Sequence, residues 1–192
     1  YSVIYINNNH LWFFNNTISF DKTDNRNSRG IIIYNCIDLY IDNSHFIKCG
    51  NTNIGRGGGL YFNNPGRTEK SVIITNNIFE CNTAGNSGAI SLHFNSIIPI
   101  FNNNSFINIE SYFIISFQYS LNTIITDPIY LYNLSFIGLY NSADENGGSG
   151  FWINNGRTSA ENFQLYTNFI NCSFINNTSR YGGGAFALGN HK

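Results

Sequence analysis

The stretch Ile37-Asp38-Leu39-Tyr40-Ile41-Asp42-Asn43-Ser44-His45-Phe46 decides how the chain is read. Apolar and polar side chains alternate with period two as far as Ile41, the pattern of a strand with one buried face. An asparagine and a phenylalanine follow at fixed distances. The same order returns along the chain. Phe20, Phe46, Phe79, Phe106, Phe136 and Phe174 share the context, with separations of 26, 33, 27, 30 and 38 residues. Five residues before the anchor stands an apolar residue (Ile41, Ile74, Phe101, Leu131, Phe169), and three before it an asparagine (Asn43, Asn76, Asn103, Asn133, Asn171). The first unit departs from both rules, with Asn15 and Thr17 in those places.

About ten residues after most anchors, glycine clusters open a second apolar strand: Gly30-Ile31, Gly57-Gly58-Gly59-Leu60, Gly88-Ala89-Ile90, Gly147-Gly148-Ser149-Gly150-Phe151 and Gly182-Gly183-Gly184-Ala185-Phe186. The Phe106 unit has none and is the weakest copy. No ten-residue window carries helical periodicity. Repeats of this length, built of short strands between Gly and Asn turns, fit one coil of a parallel β-helix and are short for propeller blades. A lone coil cannot bury its apolar face, whereas stacking at about 4.8 Å per coil makes a continuous core. The expectation is an all-β, right-handed parallel β-helix of about six coils with pectin-lyase-like architecture. Residues 1–192 read as a single segment of a longer solenoid. In that arrangement Phe stacks in the interior, Asn forms a buried amide ladder at a bend, and Gly supplies positive φ at tight corners.

Composition narrows the function classes. Charged residues make up 11% of the chain and the formal net charge is −1, so no electrostatic drive toward nucleic acid or an anionic membrane is present. No run of apolar residues is long enough to cross a bilayer as a helix, and direct membrane insertion is not expected. The 34 Asn and 28 Ile are interleaved along the chain, which with 42% hydrophobic residues favours a packed fold over a disordered Asn-rich tract.

Phe79-Glu80-Cys81-Asn82 and Phe174-Ile175-Asn176-Asn177 match the pattern FxxN, while Gly88-Ala89-Ile90 and Gly183-Gly184-Ala185 match GGA[I/L/F]. Alternation of the two resembles the repeats of the chlamydial polymorphic outer-membrane proteins, which also occur in surface proteins of some protists. The pattern covers nearly the whole chain, although four of the six anchors lack the Asn three residues later. The resemblance implies a secreted or cell-surface β-helical adhesin or scaffold, with no catalytic residues and no cofactor.

Each candidate site has a plainer reading beside the functional one. Asn63-Asn64-Pro65-Gly66-Arg67-Thr68 and Asn154-Asn155-Gly156-Arg157-Thr158 resemble each other. Three coils apart, they would project from one face at about 14 Å separation. Arg67, Thr68, Arg157 and Thr158 are therefore candidate recognition residues, or inherited turn chemistry in a duplicated block. Carboxylates come first in a search for sugar cleavage. Asp38 and Asp42 share the outward face of one strand, Asp21 and Asp24 lie in the first loop, and Asp144 and Glu145 in the fifth. They read as solvated groups rather than a catalytic pair. His10, His45, His93 and His191 lack metal-ligand spacing.

Cys49 and Cys81 follow successive anchors and are candidates for a disulfide between neighbouring coils. The plainer alternative for Cys36, Cys49, Cys81 and Cys172 is buried thiols. Glycosylation sequons begin at Asn15, Asn103, Asn133, Asn171, Asn176 and Asn177. Three of these fall in the column read as buried, leaving Asn15, Asn176 and Asn177 as acceptors if the chain is eukaryotic and secreted. Trp12, Tyr40, Tyr61, Tyr132 and Trp152 lie outside the core columns, as a carbohydrate platform or as stiffening stacks. The expected partners are other copies of the chain or neighbouring coils of its parent, and cell-surface glycans or proteins. A carbohydrate-binding or carbohydrate-active module is the alternative to a structural, adhesive or filament-forming one.

Overall fold

Each repeat supplies short strands that pair in parallel with their counterparts one repeat away, so the chain winds as a β-solenoid. The computed structural model describes residues 2–7, 10–20, 29–50, 55–64, 69–95, 97–119, 127–141, 151–154 and 166–180. Among these residues every regular element is a strand, and three sheets hold six strands each. Sheet A comprises Ser2–Asn7, Arg29–Tyr34, Leu60–Asn63, Ser87–Phe94, Phe113–Tyr119 and Phe151–Asn154. Sheet B comprises His10–Phe14, Asp38–Asp42, Ser71–Thr75, Ile100–Asn102, Ile129–Tyr132 and Thr167–Ile170. Sheet C comprises Thr17–Ser19, His45–Ile47, Ile78–Glu80, Ser105–Ile107, Ser135–Ile137 and Ser173–Ile175. A small sheet D joins Glu110–Ser111, Tyr140–Asn141 and Thr178–Ser179.

The period-two alternation sends one residue set inward. In sheet B the row Phe13, Ile41, Ile74, Phe101, Leu131 and Phe169 lines the interior in register. Sheet C aligns Phe46, Phe79, Phe106, Phe136 and Phe174, whose rings stack with centroids 4.7, 5.3, 5.2 and 4.8 Å apart. Burying one such ring stabilises the fold by about 1.5–3 kcal/mol, and an aromatic pair adds about 0.5–1.5 kcal/mol.

The first unit corrects the sequence register. Ile18, not Phe20, pairs with Phe46 and continues the column. Phe20 lies two residues on, half-buried, its N–H donating to the Ile47 carbonyl. With Ile18 as anchor, Phe13 and Asn15 fall five and three residues before it, and both exceptions vanish. A conspicuous phenylalanine had masked the aliphatic residue that fills the same place.

Corner chemistry is also reassigned. Asn15, Asn43, Asn76, Asn103, Asn133 and Asn171 all turn the chain with φ between +47° and +57°, and all are exposed rather than buried. Their ladder is real but lies on the outside. Asn43 donates to the Asn15 amide oxygen at 2.7 Å, Asn103 to Asn76 at 3.0 Å, and Asn133 to Asn103 at 2.8 Å. The buried amides belong to other residues. Asn77 and Asn104 follow two of the corner asparagines and Asn82 closes one FxxN motif, while Asn177, which closes the other, is half-buried. Asn82 donates to the Phe46 carbonyl and accepts from the Cys49 N–H, while Asn177 does the same with Phe136 and Leu139. FxxN thus ties one coil's bend to the coil before it.

Among the described residues, the clustered glycines Gly30, Gly58, Gly59 and Gly88 serve close approach instead of positive φ. A Cβ on Gly58 would lie 2.4 Å from the Gly88 carbonyl oxygen and 2.5 Å from that of Thr83. Asparagine takes most of the left-handed corners, because its short amide tolerates that backbone. The glycine-free Phe106 unit stays in register all the same: Phe113–Tyr119 pairs with Ser87–Phe94, and an irregularity between Ser87 and Ile90 absorbs the difference.

Candidate binding surfaces

The outward residues of sheets A and B form two different surfaces. On sheet B, the row Trp12, Tyr40, Ile73, Ile100 and Tyr130 runs across successive strands. Trp12 is 58% exposed, Ile100 50% and Tyr130 45%. Trp12 stacks on Tyr40 with centroids 6.0 Å apart, and His10 stacks on Trp12 at 5.9 Å. Tyr132 stacks on Tyr130 at 6.1 Å. Of the five platform aromatics, Trp12, Tyr40 and Tyr132 therefore share sheet B. Tyr61 and Trp152 belong instead to one outward column of sheet A, and the Trp152 side chain lies outside the described atoms.

Three exterior carboxylates, Asp38, Asp42 and Glu80, are engaged in links between neighbouring coils. Asp38 meets His10 at 2.7 Å, and Asp42 accepts from Thr75 at 2.6 Å and Asn76 at 2.7 Å. Glu80 meets His45 at 3.1 Å. Asp38 thus reaches back one coil and Asp42 forward one, so the two do not converge on a shared cleft. Glu69 is buried, held by the Asn64 amide and the Asn95 N–H. Beside it burial holds the Tyr119 phenol well above its ordinary range, and the nearby Glu69 charge adds to the rise. Among the described residues no group of three His, Cys, Asp or Glu could hold a metal ion.

Sheet A gathers cationic and polar groups. Arg29 donates through Nε to the Arg56 carbonyl at 2.8 Å and lies over the Tyr61 ring at 4.9 Å. Arg56 extends to Gln118, donating at 2.5 Å. Asn63, His93 and Gln118 occupy one outward row on consecutive strands, so the Arg56 side chain crosses the strand that carries His93. Burial, and then the Arg56 guanidinium, lower the His93 pKa. No local sequence pattern marks this cluster, since Arg56 and Gln118 stand 62 positions apart.

The remaining candidates separate by position. Cys49 and Cys81 are free thiols and one place out of register: Cys49 is level with Asn82, and Lys48 with Cys81. The expected bridge therefore does not form. Burial pushes the Cys36 thiol up to about 11 and Cys49 up to about 12. Asn15 and Asn176 are exposed. Asn177 is not a free acceptor, because its amide holds two backbone groups of the preceding coil. Asn103, Asn133 and Asn171, set aside as buried, are exposed. Arg67, Thr68, Arg157 and Thr158 lie outside the described residues. So do Asp21, Asp24, Asp144, Glu145, His191 and the glycine clusters at 147–150 and 182–184. Asn63 and Asn154, which open the two similar insertions, do share one row of sheet A three strands apart.

Comparison with known proteins finds no matching family model, no matching curated protein and no matching solved structure.

Proposed function

We propose that this β-solenoid is a non-catalytic structural or adhesive element of an extracellular or cell-surface protein: a stalk, adhesin or filament subunit. The observation that carries the reading is the use of exterior polar groups. The Asn ladder, Asp38, Asp42 and Glu80 all link one coil to the next. Such links stiffen a rod along its axis, and they leave Asp38, Asp42 and Glu80 involved with structural partners. Among the described residues, the first and last strands of each six-stranded sheet pair on one side only. Strand edges of this kind favour pairing with another copy of the chain.

The test is twofold. Sedimentation and electron microscopy should reveal rigid rods, alone or joined end to end. Incubation with a panel of neutral and acidic polysaccharides should leave chain lengths unchanged. Cleavage by the purified chain would sink the non-catalytic reading. A carbohydrate-binding module is the second reading, favoured by the exposed Trp12–Tyr40–Tyr130 row. Loss of a glycan-array signal on Trp12→Ala, with no turnover, would promote it over a purely structural rod.

A further inference from the structure

Among the described residues, the outer face of sheet A holds positive charge without a counter-charge. Arg29 and Arg56 are half-buried, and neither pairs with a carboxylate among the described residues. Each is held in place by neutral groups: Arg29 by the Arg56 carbonyl and the Tyr61 ring, Arg56 by the Gln118 amide oxygen. A guanidinium so anchored through one nitrogen keeps other N–H groups for a planar oxyanion, and little side-chain freedom remains to be lost on binding. One further feature points to a ligand. The Asn63 amide oxygen is buried on this face with no partner. Ser91 and Ser116, at the neighbouring outward register positions, are buried and satisfied by each other at 3.0 Å, so they take no part in the site.

We infer that this face binds an acidic saccharide, its carboxylate or sulfate held by Arg29 and Arg56 and its sugar ring lying against Tyr61 and Tyr34. Spacing favours a saccharide over an isolated ion. Tyr34, Asn63, His93 and Gln118 form one row on consecutive strands, so a polar group recurs about every 4.8 Å. That step is close to the length of one pyranose unit, and an extended sugar chain lying along the solenoid axis would meet a new side chain at each residue. Arg29 covers one face of Tyr61, and Tyr34, edge to face with it at 6.1 Å, adds a second ring and hydroxyl beside the cation. The inference deepens the adhesive reading and rests on it for the ligand's role, since it names what a surface rod would hold.

Calorimetric titration of the 192-residue chain tests it. The probes are a trigalacturonate, a sulfated heparin-derived tetrasaccharide and neutral maltotriose. One or both acidic probes should bind saturably and maltotriose should not; which of them binds identifies the anion. Arg29→Gln and Arg56→Gln should each weaken binding at least ten-fold, while the exposed Lys48→Gln and Lys70→Gln should leave it unchanged. Titration of the unmodified chain should also shift the His93 ring resonances, a readout that stands even if an arginine variant fails to fold. Equal binding by folded Arg29→Gln and Arg56→Gln, equal binding of maltotriose, or unmoved His93 signals would overturn the inference. Products are assayed in the same samples. Turnover abolished by Arg29→Gln would keep the site and remove the non-catalytic reading, so the two failures are distinguishable.

Discussion

At the scale of single residues, two phenylalanines in similar sequence contexts have unequal worth. Phe106 is fully buried between Phe79 and Phe136, whereas Phe20 is half-buried beside the column. Phe106→Ala should cost about 3–5 kcal/mol of unfolding free energy. Phe20→Ala should cost clearly less, and equal losses in denaturant titrations would contradict the register given above. The cysteines supply a second prediction. Burial raises the Cys36 and Cys49 thiols to about 11 and 12, while an unfolded thiol titrates near about 8.5. Below that value both states are protonated and the two groups leave stability independent of pH. As pH rises the unfolded chain ionises first and holds fewer protons, so stability falls from about pH 8.5 until the folded thiols titrate in turn. Native labelling with iodoacetamide at pH 8.5 should reach Cys81 and Cys172 and spare Cys36 and Cys49. Mass spectrometry reads the order directly.

Among the elements, the glycines differ by what stands opposite them. Gly58 faces backbone carbonyl oxygens of two neighbouring segments, which a side chain cannot push aside. Gly55 has nothing within 4 Å of its virtual Cβ. Gly58→Ala should lower the melting midpoint by many degrees, consistent with an overpacking cost of about 1–3 kcal/mol or more, and Gly55→Ala should be near neutral. Similar midpoints for the two would show that the coils do not approach as closely as Gly58 and Gly88 do here. Corners tell the complementary story: asparagine performs the left-handed turn and its amide then reaches the next coil, a dual role glycine cannot take.

For the whole molecule, stability is a sum over neighbours, since each winding touches chiefly the one before and the one after. Amides of Ile78–Glu80 and Ser105–Ile107 have partners on both sides, whereas Thr17–Ser19 and Ser173–Ile175 are outermost in sheet C. Hydrogen exchange should be slowest in the central pair and fastest in the outer two. Uniform protection along the axis would argue for a single all-or-none unit instead.

Periodicity alone determined the class of fold here, because a two-residue alternation recurring at 26 to 38 residues has few ways to bury its apolar face. It also located the Phe column from Phe46 to Phe174. Three matters were decided only by tertiary packing. Whether Ile18 or Phe20 fills the first position depends on which side chain points inward, and side-chain identity does not record direction. Whether an Asn is a buried bridge or an exposed corner depends on backbone handedness at that residue, which separates Asn76 from its neighbour Asn77. The meeting of Arg29, Arg56, Tyr61, His93 and Gln118 depends on coil stacking, which brings residues far apart in the chain within a few ångströms and leaves no local pattern to read.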